Sequence, residues 1–159
     1  MNVNLKFSEH VKDICLKATQ RANWLLRSFI VTNINLYIIL FRVYILPILL
    51  YASPVWNSRL LKDLKMLETV QNRYFRRAAY KCNISRESIA FSPVYNLLND
   101  ADLNMYSKLE KLSVANDFFD FHPTNTRRGV VVRSKYVACK SAVSNLFSHR
   151  VTRLLRDPA

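Results

Sequence analysis

Glycine occurs once in the 159 residues, at Gly129. Glycine supplies the positive backbone angles of tight hairpin turns and the bare backbone of phosphate-cradling loops. Its scarcity argues against β-sandwiches, β-barrels and glycine-rich nucleotide loops. Half of the residues are hydrophobic, which is enough apolar material for a folded core in a chain of this length. The sequence therefore predicts a mainly α-helical, bundle-like fold with a short N-terminal strand at residues 3–7 and an irregular basic C-terminal region.

The formal net charge of +13 is concentrated in two zones of the sequence. Residues 57–86 carry eight basic and two acidic side chains, and residues 122–159 carry eight basic and one acidic. The stretch 87–121 between them is net acidic. A folded, strongly basic chain favours a polyanionic partner, either nucleic acid or an anionic membrane surface.

The cysteines and histidines are scattered along the chain. Cys15, Cys82 and Cys139 are odd in number and far apart, which offers neither a disulfide framework nor a zinc knuckle. We interpret them as reduced thiols of an intracellular protein, either nuclear or cytoplasmic. The carboxylates show no two-metal clustering, and no nucleophile has a histidine at a recognisable spacing. The sequence therefore predicts no catalytic residue, no metal site and no cofactor.

Helical periodicity marks two further segments. Apolar residues recur at spacings of three and four from Val11 to Phe29, and Ser8 is expected to cap that helix. A later helix is predicted to begin at Asp100, as its cap, and to run to about Phe121. Asp102 is assigned a role at the start of the same helix, where a carboxylate interacts favourably with the helix dipole.

The run from Ile34 to Trp56 is nearly continuous in apolar residues and is long enough to span a bilayer. Arg42 and Pro47 oppose that interpretation, because a charge is costly in hydrocarbon and proline removes a helical hydrogen bond. A core helix kinked or broken at Pro47 is the favoured prediction. A membrane-associated basic protein with one transmembrane helix near 34–56 stays as an alternative.

The helix predicted from Leu60 to about Tyr80 separates apolar from basic residues. Asp63 and Glu68 fall at the borders, so the centre of its polar side is purely basic, whereas a solvated face usually mixes both signs. At 100° per residue, one side collects Leu60, Leu64, Leu67, Gln71, Tyr74, Phe75 and Ala78. The predicted nucleic-acid-binding residues are the cations of the other side and of a later polar loop: Lys62, Lys65, Arg73, Arg76, Arg77, Arg127 and Arg128. An ordinary solvated face is the competing interpretation.

Two segments resemble a known protein family. Residues 46–57, Leu-Pro-Ile-Leu-Leu-Tyr-Ala-Ser-Pro-Val-Trp-Asn, and residues 67–77, Leu-Glu-Thr-Val-Gln-Asn-Arg-Tyr-Phe-Arg-Arg, resemble the C-terminal part of reverse transcriptases from non-long-terminal-repeat (LINE-type) retrotransposons. Residues 4–8 and 147–151 resemble further pieces of the same region. The match covers most of the chain and weakens after about Phe91.

In that family of RNA-directed DNA polymerases, a helical thumb and a connecting region follow an aspartate-bearing palm, and the resemblance covers only the thumb and the connection. It implies a thumb-like region at residues 1–84 and a post-thumb connection at residues 85–159. The length of the chain favours one cooperative unit that contains both regions. It also implies two partners: the RNA or DNA backbone of a template-primer duplex, and a polymerase palm.

The chain departs from the family pattern at two places. Leu50 stands where glutamate is usual before the tyrosine, and residues 152–155 stand where Trp-Asn and Leu-Pro are usual. We therefore expect a non-catalytic, decayed or truncated copy that holds nucleic acid. A helical protein-interaction module with incidental charge is the remaining alternative.

Overall fold

The computed structural model describes residues 7–57, 59–123, 130–135 and 146–156, and helices dominate these residues. Residues 3–6 of the predicted N-terminal strand lie outside them. The helices are α1 (Ser8–Ser28), α2 (Ile34–Leu40), α3 (Leu46–Leu50), α4 (Ser53–Trp56), α5 (Leu61–Cys82), α6 (Val94–Lys111), α7 (Ala115–Phe118) and α8 (Phe147–Arg156). A π-helical turn (Phe41–Ile45), a 3₁₀ turn (Arg86–Ser88) and an antiparallel pair of strands, β1 (Phe119–Pro123) and β2 (Val130–Ser134), complete the elements. The predicted mainly α-helical fold is confirmed.

The chain divides into two compact units. Of the described residues, 7–51 and 59–97 form the first unit, and 52–57 together with those from 98 onward form the second. Each unit has its own buried side chains. The boundary expected between residues 84 and 85 stays a prediction.

Helices α1 and α5 form the centre of the first unit. The predicted apolar stripe of α1 is confirmed, because Val11, Ala18 and Leu25 are completely buried. The α5 side chains that face inward include Leu67 and Phe75, which are also buried. Burying a large apolar side chain stabilises a fold by about 1.5–3 kcal/mol, so these two helices supply much of the unit's stability.

An aromatic cluster with hydrogen-bonded tyrosines forms a second part of the first unit's core. The rings of Phe41, Phe75 and Phe91 pack with centroids 4.8–5.1 Å apart. The Tyr74 hydroxyl donates to the Tyr37 carbonyl at 2.9 Å, and the Tyr37 hydroxyl donates to a backbone carbonyl just after α1 at 2.9 Å. Each buried hydroxyl is thus paired, which avoids the cost of an unsatisfied polar group.

The apolar run is interrupted just before Pro47. Helix α2 passes into the π-helical turn, in which the Leu46 N–H bonds to the Phe41 carbonyl, five residues back. Pro47, which has no N–H, then stands in the first turn of α3. The predicted irregularity is therefore a π-helical turn, a recognised cause of helix bending. Among the described residues, no helix is both long enough and apolar enough to cross a membrane.

Both predicted helix caps are wrong. Phe7 occupies the cap position of α1, and the Ser8 hydroxyl donates instead to Asp63 Oδ2 at 3.0 Å. Helix α6 begins at Val94 and ends at Lys111, so Asp100 lies inside it and the helix does not reach Phe121. Proline at the residue before Val94 favours a helix start there, and this signal competed with Asp100.

The turns of this glycine-poor chain use other residues. Among the described residues, left-handed backbone occurs at Ala52, Arg59, Asn83 and Ser113. Asn83 ends α5, and the following N–H, of Ile84, bonds back to the helix at 3.1 Å. Asparagine tolerates this conformation better than most residues, so it replaces the usual glycine at a helix end.

The second unit contains a buried ion pair. Arg150 of α8 donates to Asp102 of α6 from Nε at 2.8 Å and from Nη2 at 3.0 Å. Nη2 also donates to the Pro54 carbonyl at 2.6 Å. Arg150 is 1% exposed and Asp102 is fully buried, so the predicted helix-start role of Asp102 is wrong. A small apolar cluster forms the adjoining core, with Tyr106, Ala115, Phe119 and Val151 as its buried members.

Candidate nucleic-acid interface

Helix α5 is anchored by the side that the sequence predicted to be apolar. Leu67, Gln71, Tyr74, Phe75 and Ala78 are all buried. The buried Gln71 side chain makes one hydrogen bond, in which Nε2 donates to the carbonyl of residue 92 at 3.0 Å. Since this side faces the core, the opposite side of α5 must face solvent.

The first turn of α5 departs from the predicted pattern. Leu60 is 41% exposed and Leu64 is half-buried. Asp63, predicted at the border of the apolar side, is buried instead and accepts the hydrogen bond from Ser8. A carboxylate is thereby removed from the solvent face of the helix.

Five predicted cations lie on the solvent face of α5. Lys62, Lys65, Arg73, Arg76 and Arg77 are all exposed. Among the described residues, the first four make no side-chain hydrogen bond or ion pair. From Lys62 to Arg76 they extend over about 21 Å of helix at 1.5 Å per residue. We call these four residues the α5 basic stripe.

Arg77 differs from the stripe because it is used in packing. Its Nη1 donates to Asn23 Oδ1 on α1. One turn further on, the Lys81 ammonium donates to the backbone carbonyls of Leu26 and Phe29, and so satisfies the C-terminal end of α1. These two cations fasten α1 to α5, and that contact occupies some of their N–H donors.

Arg86 is a basic residue that the sequence analysis missed. It lines one concave surface together with stripe residues Arg73 and Arg76. It stands on the 3₁₀ turn after α5, where helical periodicity says nothing about its direction. The exposed surface next to it also includes Lys12 of α1, which lines a neighbouring groove with Arg73.

An exposed aromatic ring offers a face on which a base can stack, and Tyr74 and Tyr80 are the two tyrosines of α5. The prediction that Tyr74 packs in the core is confirmed, because it is 1% exposed. Tyr80 is 87% exposed and lies five helical turns from Lys62 on the same side of α5. The loop cations Arg127 and Arg128 fall outside the described residues, so their role stays a prediction.

The described part of the first unit contains weakly acidic groups with raised pKa values. Burial, helped by the Asp63 carboxylate, raises the pKa of the Cys15 thiol to about 11. Burial, with the neighbouring Tyr37, raises the pKa of Tyr74 well above its usual value. Both groups stay neutral near pH 7. Within the described ranges, no group of three His, Cys, Asp or Glu residues is arranged to hold a metal ion.

Comparison with known proteins adds one relative. An uncharacterized protein of Caenorhabditis elegans is 34% identical over 88 residues, which are 55% of this chain and 44% of that protein. The chain thus spans less than half of the length of this curated relative. No family model matches the chain. No solved structure matches it either.

Proposed function

We propose that this chain binds a nucleic-acid duplex through its phosphates along the α5 basic stripe, and holds it for chemistry carried out by other protein segments. The observation that carries the proposal is the stripe itself, four exposed cations without partners among the described residues. Lysine and arginine contact phosphate oxygens in most protein–DNA interfaces, and such contacts position a duplex without reading its sequence.

The dimensions of the stripe suit a duplex. Double-stranded DNA carries one charge per roughly 1.7 Å of its axis, so about 21 Å of helix surface can face several phosphates. The nearest acids on α5 do not oppose this contact, because Asp63 is buried and Glu68 is half-buried at the border. A face designed only for solubility usually interleaves acids with bases.

The family resemblance supports the same proposal. The segment 67–77 that resembles LINE-type reverse transcriptases is the middle of α5, where Arg73 and Arg76 stand. In this proposal the helix acts as a thumb-like element that holds a template-primer duplex, RNA–DNA or DNA–DNA, for an RNA-directed DNA polymerase.

The test is the salt dependence of duplex binding by the Arg73→Gln/Arg76→Gln variant. Each lost phosphate contact lowers the slope of log affinity against log salt by about 0.9, so the pair should flatten it by about 1.8. Lys108→Gln/Lys111→Gln is the matched control, because it removes the same charge from exposed positions of α6. An unchanged slope in the first variant, or equal flattening in both, would show that the stripe is only a solvated face.

A further inference from the structure

The concave surface beside the middle of α5 gathers three arginines. Its lining consists of Thr69, Asn72, Arg73, Arg76 and Arg86. No carboxylate is among these residues, although two glutamates stand close by in the sequence. We call this surface the arginine cradle.

Arg86 is held in place before any ligand arrives. Its Nη1 donates to the Ile89 carbonyl at 3.1 Å, and its Nη2 donates to Asn72 Oδ1 at 3.2 Å. The guanidinium carbon lies 5.4 Å from the centroid of the Phe75 ring. A guanidinium has five N–H donors, so three remain for a ligand. An arginine already fixed in this way loses less side-chain entropy on binding than a free one.

Of the two uncharged polar side chains in the lining, Asn72 has donors available to a ligand and Thr69 does not. Because Asn72 Oδ1 accepts from Arg86, its amide NH₂ group remains as a donor for a ligand. The Thr69 hydroxyl proton is engaged by the Lys65 carbonyl at 2.6 Å. The donors available to an anion are therefore the three guanidinium groups and the Asn72 amide.

We infer that the arginine cradle binds a terminal phosphate of a nucleic-acid strand, an inference that rests on the proposed function because the strand belongs to the bound duplex. A bridging phosphodiester carries one negative charge, whereas a terminal phosphomonoester carries about 1.5 to 2 near pH 7 and has three free oxygens. The three guanidinium groups of the cradle equal the three free oxygens of the monoester in number, and the higher negative charge of the monoester is attracted to them more strongly than a bridging phosphodiester is. The lysines of the stripe, which are point charges outside the cradle, suit the bridging phosphates.

The experiment compares two short duplexes of identical sequence, one with a 5′-phosphate and one with a 5′-hydroxyl, binding to the whole chain. The phosphorylated duplex should bind about fivefold more tightly, the size expected for one further exposed ion pair at its upper limit. Arg76→Gln should abolish this preference without unfolding the chain, because its side chain is exposed and unpartnered among the described residues. Arg86→Lys should also reduce the preference, because lysine keeps the charge but lacks the planar guanidinium with its several N–H donors.

The matched control is Lys62→Gln, because Lys62 is exposed on the same side of α5 and is not part of the cradle lining. It should weaken the binding of both duplexes and leave their ratio unchanged. Equal affinities of the unaltered chain for the two duplexes would overturn the cradle and leave duplex binding intact. A third outcome is that neither duplex binds, while inorganic phosphate binds to the unaltered chain and not to Arg86→Lys. In that case the cradle is a phosphate site, and both the binding of a strand end and the binding of a duplex are wrong.

Discussion

The two units of this protein use arginine in opposite ways. In the first unit, Arg73 and Arg76 stay in solvent while apolar and aromatic side chains fill the interior. In the second unit, Arg150 lies inside, with both partners of its ion pair withdrawn from water. An exposed cation keeps its hydration and remains available to a ligand, whereas a buried one is stable only while its partner is present.

This difference corrects the simplest interpretation of the net charge. The C-terminal zone of the sequence is as basic as the zone around α5, yet Arg150 contributes nothing to its surface because Asp102 neutralises it inside the unit. Counting cations along a sequence therefore overestimates the charge that a polyanion meets. What matters for phosphate binding is which cations stay outside without partners.

The largest expected effect comes from breaking the buried pair. Asp102→Ala leaves Arg150 as an uncompensated internal charge, and we expect the second unit to lose about 3–5 kcal/mol of stability. Hydrogen exchange should show the loss in α8, while amides of α1 and α5 keep their protection. A cost below about 1 kcal/mol would mean that Arg150 finds water or another acceptor, and the contrast between the units would disappear.

A double replacement sharpens the same point. Asp102→Leu combined with Arg150→Met removes both charges, and replacing a buried ion pair by apolar residues of similar size is often neutral or stabilising. The double variant should therefore unfold at a higher urea concentration than Asp102→Ala. A double variant as unstable as the single one would show that the pair's hydrogen bonds, including the one to Pro54, carry the stability.

The next effect tests the first unit at its aromatic core. Phe75→Ala should lower the free energy of unfolding by about 3–5 kcal/mol, because the ring is completely buried and a cavity remains. Arg76→Gln, at the next position on α5, is the control and should change stability by less than about 0.5 kcal/mol. Urea titrations of both variants measure this difference. Similar losses in the two would mean that the basic side of α5 is also part of the packing.

Periodicity predicted the part of α5 that local sequence determines. Leu67, Phe75 and Ala78 are buried as expected, since residues three and four apart share one side of a helix. Asp63 was misplaced because its hydrogen-bond partner, Ser8, lies 55 residues away. No helical pattern contains that information.

The other misses have the same origin. Asp102 pairs with Arg150 across 48 residues, so its local position near a supposed helix start was misleading. Arg86 lies beside Arg73 and Arg76 only because the turn after α5 places its guanidinium carbon 5.4 Å from the centroid of the Phe75 ring. The sequence could thus predict which cations α5 exposes, but it could not predict which distant residues supplement or neutralise them.

An intermediate effect is expected at high pH in the first unit. The pKa of the Cys15 thiol is raised from 9.0 to about 11, so the folded state holds this proton more tightly than the unfolded state. The resulting stabilisation is fully present below pH 9 and is lost as the pH rises from 9 to about 11. A pKa difference of about two corresponds to at most about 2–3 kcal/mol of stability.

Urea unfolding at several alkaline pH values measures that loss. Cys15→Ala should flatten the decline between pH 9 and 11, and the decline that remains at higher pH should reflect Tyr74, whose pKa burial also raises. In the second unit, burial raises the pKa of Tyr106. The stability of this unit should therefore begin to decline only at the higher pH at which tyrosines ionise. An identical alkaline decline in Cys15→Ala and the unaltered chain would show that the thiol is hydrated.

The smallest effect separates cations that are free from cations used in packing. Arg76→Gln and Arg77→Gln remove the same charge from neighbouring exposed positions of α5, and each should change stability by less than about 0.5 kcal/mol. Arg76 has no side-chain partner among the described residues, so its loss should flatten the salt slope of duplex binding by about 0.9. Arg77 already donates to Asn23, so a phosphate has to share or displace that contact, and the loss of Arg77 should flatten the slope by less.

Asn23→Ala gives the reverse control, because it releases Arg77 and should raise duplex affinity slightly. Arg77→Gln flattening the slope as much as Arg76→Gln would show that the hydrogen bond to Asn23 leaves Arg77 fully available to phosphate. In that case only burial, as at Arg150, removes a cation from the phosphate-binding surface.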